Sequence, residues 1–67
     1  MTTRRRRQLE SVITSGRKGQ DFISRKLSLL ERGESSILTP EYRAKQQADY
    51  DKYQTLIEQA QAELAAN

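Results

Sequence analysis

Leu9, Ile13, Gly16, Gln20, Ile23, Leu27 and Leu30 follow one another at alternating steps of four and three residues. Steps of that size keep one stripe of a helix turned toward a single neighbour. The spacing predicts a first helix over 9–32, with helical character already present from about residue 4. Two positions of the stripe are weak, because Gly16 and Gln20 occupy them, and Gly19 stands alongside. Each glycine lowers helix propensity by up to about 1 kcal/mol. A kink near 15–19 is therefore an open alternative to a straight helix.

The pattern stops at Gly33-Glu34-Ser35-Ser36-Ile37-Leu38-Thr39-Pro40. Gly33 stands where a left-handed C-cap belongs. Thr39 can cap the next helix with its hydroxyl, Pro40 suits its first position, and Glu41 faces the positive end of its dipole. These signals define a turn over 33–39 and a second helix over 40–66. Along the second helix Tyr50, Tyr53, Ile57, Ala60 and Leu64 repeat the steps of three and four, with Leu56 beside the stripe and Tyr42 at its entrance.

A short turn between two striped helices folds them back as an antiparallel hairpin. The predicted fold class is all-α, a coiled-coil-like two-helix hairpin. Opposed residues then have numbers summing to about 73. Leu9 meets Leu64, Ile13 meets Ala60, Gly16 meets Leu56 or Ile57, Gln20 meets Tyr53, and Ile23 meets Tyr50. Small residues fall opposite large ones, as dense packing requires. Gln20 falls beside a tyrosine whose hydroxyl can pair with it.

Two helices cannot bury such a seam fully, and short chains have marginal cores. The core is therefore expected to be completed by oligomerisation or by docking on a partner. Val12, Phe22, Leu29, Ile37 and Leu38 lie off the seam and form the expected protein interface.

Composition narrows the classes. The chain of 67 residues is 34% hydrophobic and 31% charged, too periodic for disorder and too small for more than one domain. It has no cysteine and no histidine, which removes disulfides, thiolate metal sites and the commonest neutral-pH base. No cofactor or small-molecule substrate is expected. No apolar run approaches the roughly 18 residues of a membrane span. MTTRRRR is followed by QLESVITSGRKG and not by an apolar signal core. The expected location is the cytoplasm, or a particle assembled there, without membrane contact.

Charge changes the picture more. Residues 1–33 carry nine basic and three acidic side chains, a net of +6; residues 34–67 carry three and six, a net of −3. The run Arg4, Arg5, Arg6 and Arg7 reads as a basic arm over 1–8. At a helix start such cations oppose the dipole by about 0.3–1 kcal/mol each. A polyanion or acidic partner would relieve that cost. The hairpin offers another relief, since Glu63, Glu58 and the terminal carboxylate of the second helix come beside the run. Arg17, Lys18, Arg25 and Lys26, with Arg32, extend the basic surface along the first helix. The competing reading is a solvated face with Asp21 interspersed. Nucleic-acid contact of this kind would engage backbone phosphates without reading bases.

Other features carry less. Tyr42, Tyr50 and Tyr53 have helical spacing, so core packing outweighs base stacking. Gly16-Arg17-Lys18-Gly19 lacks the strand and the ending of a phosphate loop. Asp49 and Asp51, two apart, point to different helix faces and form no acid–base pair. No arrangement of nucleophile and base is found, and the chain is expected not to be an enzyme.

The leading expectation is a small helical-hairpin interaction or assembly protein, docking on a partner protein or on itself, with the arginines on an acidic surface. A nucleic-acid-binding dimer of hairpins is the second reading. A structural subunit of a bacterial or phage particle is the third.

Overall fold

The computed structural model describes residues 1–33 and 36–66. Among the described residues there are two helices and no strand: α1 (Thr3–Arg32) and α2 (Pro40–Ala65). They pack antiparallel, as ion pairs at both ends show: Arg5 to Glu63 at the open end and Glu31 to Arg43 near the turn, each 2.8 Å.

Local chemistry sets the ends. The Thr2 hydroxyl accepts a hydrogen bond from the Arg5 amide at 3.1 Å, and α1 begins one residue later. Arg4–Arg7 therefore occupy the first two turns of α1 and do not form an arm ahead of it. The Thr39 hydroxyl accepts from the Tyr42 amide at 3.1 Å, with Pro40 at the first helical position of α2. Gly33 departs from expectation. Its φ of −81° and ψ of 0° are right-handed, not left-handed, and its N–H still donates to the Leu29 carbonyl at 3.0 Å. The chain leaves α1 by continuing its turn, so Gly33 needs none of the freedom that a left-handed cap would require. Glu34 and Ser35, inside the expected turn, lie outside the described residues.

α1 runs unbroken through residues 15–19. The reason lies across the seam. Gly16 is buried, and a Cβ placed on it would stand 2.7 Å from Ile57 Cγ1. A Cβ on Gly19 would stand 2.6 Å from the Tyr53 ring. Contact with α2 thus occupies the space a side chain would need, and the packing holds the helix straight where propensity alone would loosen it.

Leu9, Ile23, Ile57 and Ala60 are the buried apolar residues, and Ile13, Leu27, Leu30, Tyr50, Tyr53 and Leu64 are half-buried around them. Gln20, also half-buried, does not use a tyrosine hydroxyl. Its Nε2 donates to the Gln54 carboxamide oxygen at 2.8 Å and to the Tyr50 carbonyl at 3.4 Å. The Tyr53 ring covers Gly19 instead, one position away. The result is a rod of 48 × 16 × 13 Å with a radius of gyration of 15.2 Å. A compact chain of equal length would have about 11 Å.

The two glycines should respond differently to alanine. Ile57 is buried and meets the new methyl close to its own backbone, so Gly16→Ala should destabilise by about 1–3 kcal/mol despite better helix propensity. At Gly19 the obstacle is the far end of the half-buried Tyr53 side chain, which can swing aside. Gly19→Ala should be neutral or stabilising by up to about 1 kcal/mol. Urea unfolding followed by circular dichroism ranks the three chains; equal losses at both sites would contradict the packing described.

Candidate interaction surface

The seam divides the rod into two flanks of opposite character. On one flank polar side chains pair in series. Gln20 meets Gln54, whose own NH₂ donates to Glu58 at 3.0 Å. Glu31 meets Arg43, eleven residues on from Gln20 in α1 and eleven before Gln54 in α2. Eleven residues are about three turns, so these pairs share a side.

The other flank is apolar. Val12, Gly19, Phe22, Lys26 and Leu29 recur at steps of seven, three, four and three, one position before the seam stripe. Phe22 is 67% exposed, Leu29 65%, Leu56 42% and Val12 39%. Val12 and Leu56 border a shallow groove between the helices, floored by Leu9 and Ala60 and rimmed by Gln8, Gln59, Arg5 and Glu63. Lys26 lies half-buried on this flank, its ammonium 5.4 Å from the Tyr42 ring centre and 6.0 Å from that of Phe22. Such contacts are worth about 0.5–1 kcal/mol when exposed. They hold the lysine stem along the apolar surface and leave its charge at the edge. Of the other residues expected at an interface, Leu38 is half-buried beside the turn and Ile37 is exposed.

The basic residues separate into groups. Arg5 pairs with Glu63, so one of the four arginines is relieved by the opposite helix end. Arg4, Arg6 and Arg7 form no ion pair among the described residues. Glu58 is engaged with Gln54 rather than with the run, and the terminal carboxylate lies outside the described residues. Arg4, Arg7, Lys18, Arg25 and Arg32 recur at multiples of three to four on the side of α1 away from the seam, with Ser11, Thr14 and Ser28 between them. Asp21, the acid in that stripe, pairs with Arg25 at 3.0 Å. Arg17 is exposed and turns toward the polar flank, and Lys26 belongs to the apolar one. The adjacent pairs Arg17-Lys18 and Arg25-Lys26 are thus split between faces, as neighbours about 100° apart on a helix must be.

Sequence spacing alone passed over the Glu31–Arg43 pair and the seat that Tyr42 provides for Lys26. The step from Val12 to Gly19 to Lys26, seven residues each time, was the available signal for the flank. Among the described residues no three acidic side chains converge as a metal would need, and no helix is long and apolar enough to cross a membrane. The chain matches no protein-family model, no curated protein and no solved structure.

The Arg5–Glu63 pair joins two half-exposed side chains, so its coupling should be below about 1 kcal/mol and fade with salt. A double-mutant cycle with Arg5→Ala and Glu63→Ala at low and high salt measures it. A coupling of several kcal/mol, insensitive to salt, would contradict a pair open to water.

Proposed function

We propose that this chain is a small non-enzymatic interaction protein whose hairpin presents one apolar flank for docking and one basic helix surface for contact with anionic groups. The observation that supports this reading is the one-sided placement of exposed apolar residues. Val12, Phe22, Leu29 and Leu56 lie on one flank, while the opposite flank is hydrogen-bonded to itself. Scattered surface apolar residues need no explanation, but a contiguous set rimmed by polar groups marks an association surface. The flank combines an aromatic anchor, a neighbouring groove and charges at the edge, the usual anatomy of a protein-docking surface.

A second reading concerns the outward stripe of α1. Arg4, Arg7, Lys18, Arg25 and Arg32, with hydroxyl side chains between them, suit a row of phosphates. The stripe and the apolar flank adjoin along α1: Leu29 lines one hollow with Arg25, Ser28 and Arg32, and Val12 another with Arg4, Arg7 and Ser11, so phosphate contact and docking share an edge. A role as a particle subunit is the docking reading with the partner supplied by neighbouring subunits.

Two measurements test these readings. At low-micromolar concentration the uncharged dye Nile red should brighten on the chain, and Phe22→Ser with Leu29→Ser should abolish most of that signal without loss of helicity. A folded monomer that leaves the dye dark would end the docking reading. For the stripe, affinity for a short DNA duplex should fall with salt. Arg4→Ala with Arg7→Ala should reduce the logarithmic salt slope by up to about 2, since each phosphate neutralised by a cation adds about 0.9 to it. Negligible affinity at low salt would end the phosphate reading.

A further inference from the structure

We infer that the occupant of the apolar flank is a second copy of this chain, packed antiparallel about a two-fold axis that passes near residue 17 of α1. This rests on the docking reading and names the partner.

Area supports a partner of this size. The chain exposes 5237 Å². A compact monomer of 7.7 kDa would expose about 4300 Å², so the rod carries an excess of about 900 Å². A standard stable interface hides about 800 Å² on each partner. One copy covering one flank removes the excess and leaves the polar flank in water.

Self-complementarity selects the second copy. A two-fold interface must place each projection opposite its matching recess on the same surface. Phe22 is the largest projection on this flank, 67% exposed. The recess is the groove bordered by Val12 and Leu56 over Leu9 and Ala60. Phe22 stands five residues after residue 17 and Val12 five before it. At 1.5 Å per residue, Phe22 and the Val12 border of the groove lie about 7.5 Å on either side of the same point. Rotation about that point sets each Phe22 into the other copy's groove. Ser15 is the exposed flank position near the axis, and its small side chain leaves room for the second α1 there. Lys26 then arrives opposite Gln8, at the rim where Arg5 and Glu63 are already paired. The product is a four-helix bundle. Lys18 and Arg25, one turn either side of Phe22, border its interface.

The chain has no cysteine, which makes the geometry directly testable. Sedimentation equilibrium should give twice the 7.7 kDa chain mass as concentration rises. Phe22→Ser should weaken association at least about 30-fold, the scale of removing a buried aromatic anchor. Under mild oxidation, a mixture of Phe22→Cys and Val12→Cys chains should cross-link to each other far more than either does to itself. This readout stands even if Phe22→Ser proves poorly folded. A dimer without that preference overturns the arrangement. A chain that remains a helical monomer at millimolar concentration overturns the second copy. If that monomer still brightens Nile red through Phe22, docking on another protein survives; if it does not, both readings fall.

Discussion

The hairpin depends on how closely two helices can approach at Gly16 and Gly19. Ile57 occupies the space that a side chain at Gly16 would fill, closer than a Cβ could stand without a shift, and the movable end of the Tyr53 ring covers Gly19. Close approach buries four apolar residues among those described, Leu9, Ile23, Ile57 and Ala60, along the seam. It also reverses the usual meaning of glycine in a helix. The residues that weaken α1 as an isolated segment permit the contact that keeps it helical.

Close approach also makes a rod. With a cross-section of 16 × 13 Å, no side chain can be far from the surface, and each helix keeps most of its circumference in contact with water or with something else. The two flanks answer this differently. One satisfies itself through amide and carboxylate pairs between Gln20, Gln54 and Glu58 and between Glu31 and Arg43. The other leaves Phe22 and Leu29 largely bare. Bare apolar surface is unfavourable in proportion to its area, so the flank has a thermodynamic reason to be covered. The basic stripe of α1 borders that flank, with Leu29 beside Arg25 and Arg32 and Val12 beside Arg4 and Arg7.

At the open end the charge arrangement remains unbalanced. Thr2 caps the helix, yet no acidic residue stands in the first turn of α1 to meet the dipole. The turn carries arginines instead, of which Arg5 is matched by Glu63 across the seam. Cations at a helix N-terminus are disfavoured, and their relief by an anion is correspondingly favourable. That contrast gives the stripe its interest as a phosphate-contacting surface.

The periodicity determined a good deal without any structure. Steps of three and four, a turn signalled by Gly33 and Pro40, and a shared sum of residue numbers were enough for an all-helical hairpin in which Gly16 faces Leu56 or Ile57, of which packing chose Ile57. These are local features or simple consequences of reversing direction, and a helix expresses them wherever it is. Three things were decided only by packing. Whether α1 bends at its glycines depended on what lay opposite, and Gly33 had no need of a left-handed turn. Which ring seats over which glycine depended on the rotation of each helix about its axis; a one-position difference put Tyr53 over Gly19 and gave Gln20 to Gln54. The division of the polar flank from the apolar one followed from that same rotation. Spacing fixes which residues share a stripe, but the orientation of one stripe toward another is a property of two surfaces in contact, and neither helix carries it alone.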